Sequence, residues 1–199
     1  MKKFELTNEF VTNMFGTKLF RIRALVEFGD VEAGELGGYV EKESNLGHDD
    51  NAWVYDNAWV YGDAQVSDNA RVYGNAWVYG DAQVSGNALV YGNAWVYGNA
   101  QVSGDARVCG DARVCGNGDY AYAHGFGSVN RTTTFFRLKD GGVGVLCGCF
   151  YGTLAQFRDK IRETHGETKK AQEYLMLADL MELRFEEDEN EVGNRKYVE

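Results

Sequence analysis

From Asn51 to Gly116 a valine recurs at every sixth position, from Val54, Val60 and Val66 through to Val114, and an alanine stands two places before each one. Asn or Asp precedes each alanine, and the two neighbours of each valine are large or polar. Side chains alternate along a strand, so the valine of each phrase faces inward and its neighbours outward. Six residues are too few for a helical repeat; one short strand and one corner per phrase predicts a parallel β-solenoid. Each phrase closes on Gly, or on Asp at positions 56 and 68. These are residue types that accept φ > 0 at a corner with least strain. The alanine is the small residue admitted where the chain turns into a narrow core.

The outward positions carry a second period of 18 residues, which makes three phrases per coil and a three-sided rod. Side one holds Trp53, Arg71, Leu89 and Arg107 beside Tyr55, Tyr73, Tyr91 and Cys109. Side two holds Trp59, Trp77, Trp95 and Arg113 beside Tyr61, Tyr79, Tyr97 and Cys115. Side three is polar, with Gln65, Gln83 and Gln101 beside Ser67, Ser85 and Ser103. The six aromatics of side two, Trp59, Tyr61, Trp77, Tyr79, Trp95 and Tyr97, form a patch larger than a monomer usually leaves in water. Three readings stand: an oligomer face, a platform for stacked sugars or bases, or duplication that copied residues without selecting them.

The flanks have other patterns. Phe20, Ile22, Ala24, Val26 and Phe28 alternate with Arg21, Arg23 and Glu27, a half-buried strand assigned to a small β cap over the first coil. After the rungs, 132–139 and 143–150 read as a hairpin turning at Asp140-Gly141. Thr153 with Gln156 forms a capping box that opens a helix with Leu154, Phe157 and Ile161 on one face and Gly166 as its stop. A second helix is expected from about Thr168 to Leu183. The predicted organisation is mainly β: an N-terminal cap and lead-in over 1–50, the solenoid over 51–118, a ββαα unit over 119–183 and an acidic tail over 184–199.

Composition changes this picture little. The absence of proline rules out a Pro-rich linker, and a net charge of −10 with no basic face argues against nucleic acid as a partner. Two lysines at the start have no apolar run behind them, and no uninterrupted apolar stretch reaches ~18 residues, so neither a signal peptide nor a membrane helix is read and a cytoplasmic location is expected. Cys109 and Cys115 occupy equivalent positions in successive phrases, poorly placed to pair. Cys147 and Cys149 lie two apart on an expected strand; with His124 or His165 they offer a zinc site of unfavourable spacing. No metal and no cofactor is expected.

The phrase Val-Tyr-Gly-Asn-Ala-Trp resembles the hexapeptide repeat of left-handed β-helix proteins, and left-handedness is implied by that resemblance alone, since ordinary parallel crossovers are right-handed. The segment from Val31 to Val40 is similar to the lead-in of the YdcK-like β-solenoid family, whose members also occur in phages. Four stretches after the rungs, Gly127 to Phe135, Cys147 to Phe150, Gly152-Thr-Leu and Glu163 to Gly166, resemble a C-terminal unit recurrent in phage-encoded hexapeptide proteins. Left-handed hexapeptide helices include trimeric acyltransferases with a catalytic His near the solenoid, an extruded loop and a coenzyme groove between subunits. The run from Asn51 to Gly116 holds neither a His nor a loop; His48 and His124 flank it.

Candidate chemistry therefore falls after Gly116. Gly125 to Arg131 is a Gly-rich turn ending in an Arg, followed by Thr132 to Thr134 and Arg137. It either leads the chain into the hairpin or holds a phosphate or carboxylate with amides and guanidinium; no Gly-Lys-Ser/Thr follows, so it is not a Walker loop. Arg131, Thr133, Arg137 and His165 are the candidate binding residues. Cys149 with His165 is a weaker nucleophile pair, since nothing in the sequence brings them together. The expectation is a non-enzymatic, trimeric, phage-encoded solenoid that binds a host protein or a small nucleotide signal, with interfacial acyl transfer as the alternative.

Overall fold

The computed structural model describes residues 2–127 and 131–186; residues 128–130 of the Gly-rich turn and most of the acidic tail lie outside the described residues. Strands β1 (Phe4–Thr12), β2 (Lys18–Ala24) and β3 (Leu36–Val40) are followed by eleven two-residue strands, β4 (Trp53–Val54) to β14 (Arg113–Val114), one per phrase. Parallel pairing joins strands 18 residues apart: Trp59 lies beside Trp77, Trp77 beside Trp95, and Gln65 beside Gln83. The rungs thus form three sheets, and the coils stack through bonds such as Trp59 N to Ala76 O at 2.9 Å and Tyr61 N to Val78 O at 3.0 Å.

Every valine and alanine of the rungs is fully buried. With only these side chains inward, the core is one residue wide on each side, which is why the repeat tolerates no larger residue there. The corner residue is left-handed from Asp56 to Gly110: Gly80 has φ +72°, and Asp56 and Asp68 have +53° and +57°. Both aspartates also accept a hydrogen bond from the corner amide one coil on, Gly74 N at 3.0 Å and Gly86 N at 2.8 Å. The Asn or Asp that opens each phrase serves differently, building an amide ladder from Asn51 to Asn69 (3.0 Å) and from Asn87 to Asp105 (3.0 Å).

At the N-terminal end, β3 pairs antiparallel with β2 and parallel with β5, so the β1–β2 hairpin continues the sheet of side two. The expected strand at 20–28 is shorter than the alternation suggested: β2 stops at Ala24, and the chain turns through a Phe28–Val31 bridge. Trp53, an outward position of side one, is completely buried. Phe4 and Phe28 pack edge-on to its indole at 6.2 and 5.3 Å, because the hairpin and its following loop fold over the first coil.

The C-terminal unit departs from the expected ββαα order. A strand β15 (Tyr120–Phe126) precedes β16 (Arg131–Arg137), and the expected second arm is itself a hairpin, β17 (Val143–Cys147) and β18 (Phe150–Thr153). The order β15-β16-β17-β18 is an antiparallel meander, followed by α1 (Leu154–His165) and α2 (Lys169–Phe185). Thr153 and Gln156 form the expected capping box and Gly166 is the C-cap. The strand at 143–150 breaks because Gly148 takes φ +61°, which puts Cys149 in the turn rather than on one strand face with Cys147.

This sheet is packed on both sides. Phe136 and Leu146 join the solenoid core, while Phe135 and Val145 join the helices. Both phenylalanines are fully buried, so β16 shows a continuous apolar pair rather than alternation. Arg107 N donates to Thr134 Oγ1 at 3.0 Å and Lys139 N to Asp111 O at 3.0 Å, seating the sheet on the last coil.

Candidate functional site

Two features have the chemistry of recognition. The first is side two of the rod. Trp59, Trp77 and Trp95 stack at 4.8 Å with planes 3° apart, and Tyr61, Tyr79 and Tyr97 stack at 5.0 and 5.1 Å. The spacing is that of the strands, so each ring spends its faces on its neighbours and presents an edge outward. Arg113 closes the tryptophan stack, its guanidinium 4.0 Å from the Trp95 ring and its Nη1 donating to Asn93 O (3.0 Å) and Ala112 O (2.8 Å). All six rings are half-buried, whereas Gln65, Gln83 and Gln101 on side three are exposed. Side one continues the aromatic character with Tyr73 stacked on Tyr91 at 4.8 Å. Its first coil is strapped by Asp30, which accepts from Tyr55 Oη and Arg71 Nη1.

Burial pushes the Tyr61 phenol up to about 12, and raises Tyr79 and Tyr97 as well; Tyr79 is opposed further by ionisation of its two stacked neighbours. The unfolded chain loses these protons first, near pH ~10. The folded state then holds more protons, so stability falls as pH rises above that value. Lys3 acts in the opposite sense at lower pH. Its Nζ donates to Ala52 O at 2.9 Å, and burial lowers the ammonium to about 8. From pH 8 up to its ordinary value of 10.5 the unfolded chain keeps that proton more firmly, and stability rises. Urea melts are therefore expected to improve from pH 8 to 9.5 and to worsen at pH 11; a continued gain at pH 11 would contradict the tyrosine assignment.

The second feature is a cleft of about 260 Å³ in the C-terminal unit. Arg131, at the start of β16, forms one wall; the β17–β18 turn brings Cys147, Cys149 and Phe150. The last turns of α1 supply Lys160, Thr164 and His165, and α2 supplies Tyr174. Two glycines make room for it. A Cβ on Gly148 would lie 1.8 Å from Arg131 Nη1, and a Cβ on Gly127 would lie 2.0 Å from Tyr174 Oη. Tyr174 Oη donates to Phe126 O at 3.2 Å, and the His165 ring stacks on the Tyr174 ring at 5.9 Å. Burial pushes the Tyr174 phenol up to about 12, keeping it a donor.

The charge of the cleft is one-sided. Among the described residues three basic side chains line it and no carboxylate does, in a chain of 30 acidic and 20 basic residues. Lys160 pairs with Glu163 at 2.8 Å. Among the described residues no carboxylate pairs with Arg131.

Of the residues singled out in the sequence, Arg131 and His165 meet at this cleft. Thr133 lies fully buried behind it, its Oγ1 donating to Cys147 Sγ at 3.1 Å. The structure places Arg137 apart: its Nη2 donates to Phe185 O at 2.9 Å and its Nη1 to Gly141 O at 3.1 Å. A cation bonded to the last carbonyl of α2 is a helix-end contact. Cys149 and His165, which the sequence did not connect, line the same cleft. Lys160, Phe150 and Tyr174 went unnoticed; the spacing of Phe157, Lys160, Ile161, Thr164 and His165 along one face of α1 was the available signal.

The flanking histidines are engaged elsewhere. His48 Nδ1 accepts from Lys3 N at 3.2 Å and the ring stacks on Phe4 at 4.5 Å, while His124 Nδ1 lies 2.9 Å from Thr132 Oγ1. No three potential metal ligands gather among the described residues, and no described helix is long and apolar enough to cross a membrane. None of the four cysteines is in a disulfide.

Residues 64–80, 82–98 and 100–116 match the YdcK β-solenoid repeat family, about a quarter of the chain in three successive 18-residue steps. No curated protein matches the chain. Repeat match and stacked coils together make this a β-solenoid repeat protein of about four turns with 18-residue coils, followed by a small unit that ends in two helices.

Proposed function

We propose that this chain is a non-enzymatic binding and scaffold protein that assembles as a trimer through sides one and two of its solenoid and presents its C-terminal unit. The contrast between the three sides carries the reading. Prisms arranged about a threefold axis cover two adjacent sides each and leave the third in water, whereas a twofold pair covers one. Here sides one and two carry ring ladders and arginines, and side three carries exposed glutamines. Leu89 of side one suits the ring edges of side two on a neighbouring copy, through apolar contact. The ring faces are already stacked on one another, which favours an interface over a platform for sugars or bases.

The hexapeptide resemblance supports a left-handed wind. The resemblance of the C-terminal stretches supports a phage-encoded protein acting in the host cytoplasm as an accessory of infection, through a host factor or a small nucleotide signal. Acyl transfer is the weaker reading, since the rungs hold no His and His48 is occupied by Lys3 and Phe4. Incubation with acetyl-CoA and amines is expected to give no turnover; turnover lost on His48→Ala or His124→Ala would favour the enzyme.

Light scattering tests the assembly. The expected mass is three times 22.2 kDa, and Trp77→Glu with Tyr79→Glu is expected to give monomers that keep the far-ultraviolet circular dichroism of the parent. A parent chain that is monomeric at tens of micromolar would overturn the proposal.

A further inference from the structure

We infer that the cleft between Arg131, the Gly148 turn and the end of α1 binds a small molecule in which one anionic group, a phosphate or a carboxylate, is joined to a flat ring. This rests on the reading of the C-terminal unit as the part that makes the specific contact, and names what it contacts.

Charge selects the anion. Arg131, Lys160 and His165 line a cleft that no carboxylate lines among the described residues, and a guanidinium offers paired donors that match a phosphate or carboxylate edge. Arg131 is the group that takes it. Lys160 is already paired with Glu163. His165 sits where α1 ends at Gly166, and the carbonyl end of a helix carries partial negative charge that repels an anion. The guanidinium is held where it is by the missing side chain of Gly148, against which Nη1 packs.

The rest of the lining selects the ring. Phe150, Phe157, Ile161 and the stacked His165–Tyr174 pair make an apolar and aromatic wall, and Phe150 and Phe157 meet at 5.5 Å. Size sets the limit. About 260 Å³ lies just below the roughly 300–1,000 Å³ of ligand sites, room for one nucleotide-sized molecule at most and too little for two nucleotides joined together. An extended or cyclic dinucleotide would place one half outside.

Cys149 provides a reporter. It is exposed and lines the cleft, whereas Cys109 is buried and Cys115 and Cys147 are half-buried. A bound ligand should slow its alkylation.

The test uses the full chain with adenosine monophosphate, indole-3-carboxylate, adenosine and inorganic phosphate, read by calorimetry and by the rate at which iodoacetamide modifies Cys149, located by peptide mass spectrometry. At least one ring-bearing anion is expected to bind at least tenfold tighter than adenosine or phosphate and to protect Cys149. Which of the two does so distinguishes phosphate from carboxylate ligands. Arg131→Ala is expected to lose tenfold or more in affinity and Arg131→Lys less. Gly148→Val is expected to lose as much as Arg131→Ala by displacing the guanidinium, while Gln83→Arg on the far rod is expected to bind as the parent does. Equal binding of adenosine, equal binding of phosphate alone, unchanged affinity in Arg131→Ala, or no binding of either ring-bearing anion at millimolar concentration would overturn the inference. Failure here with a trimeric mass leaves the scaffold reading standing, and a monomer that binds the ligand does the reverse.

Discussion

Replacing Trp53 by alanine is expected to lower stability by about 3–5 kcal/mol, the range for removing a fully buried Trp or Phe whose surroundings relax only in part. The indole is wholly inaccessible and forms the contact between the first coil and both Phe4 and Phe28. Its loss leaves a cavity under the N-terminal hairpin rather than in the rod. Equilibrium urea unfolding should show the loss, and amide exchange should show it concentrated in β1 and β2. The same change at Trp77, a half-buried ring in the middle of the ladder, is expected to cost much less in a monomer. Equal losses at the two positions, measured with every variant monomeric, would mean that the hairpin does not bury Trp53 in solution.

The second large effect lies inside the rod. Val78→Phe is expected to destabilise by at least about 1–3 kcal/mol through overpacking, and towards the upper end, because Val60 and Val96 lie directly beside it in the ladder and all three are fully buried. The strands cannot move apart to admit a ring, since each coil is bonded to the next at 2.8–3.1 Å. Gln83→Arg, exposed on side three, is expected to be nearly neutral. Thermal melts of the two variants check the order; the reverse order would invert the assignment of inward and outward positions.

The rod was legible because its rule is local. A side chain's direction follows from alternation over three residues, and the 18-residue period alone told which residue lies above which: Trp59, Trp77 and Trp95 were assigned to one ladder from spacing, and they pair in register. The helices were legible for the same reason, Thr153, Gln156 and Gly166 being end signals that act within one turn. Where a strand is packed on both faces the local rule fails. Thr133 to Phe136 show no alternation, since Phe135 meets the helices and Phe136 the solenoid. β15 was missed, its Tyr-Ala-Tyr-Ala pattern standing mostly half-exposed and resembling no rung.

The candidate cleft was half legible. Arg131 stood out as the end of a Gly-rich turn and His165 as an isolated imidazole, but their meeting is set by the β17–β18 turn and by the angle at which α1 and α2 cross the sheet. Arg137 looked equivalent to Arg131 in the sequence, six residues further along the same stretch. One strand length separates them, and that distance takes Arg137 to the end of α2.

Sequence alone determined the three-sided rod, its inward valines and its aromatic, mixed and polar sides, because each depends on contacts that repeat at fixed separations along the chain. The tertiary structure decided three other things: that Trp53 is core, that the aromatic rings show edges rather than faces, and that Arg131, Lys160, His165 and Tyr174 surround one cleft. Those depend on how distant segments pack, on which residue lacks a side chain where another arrives, and no period in the chain encodes them.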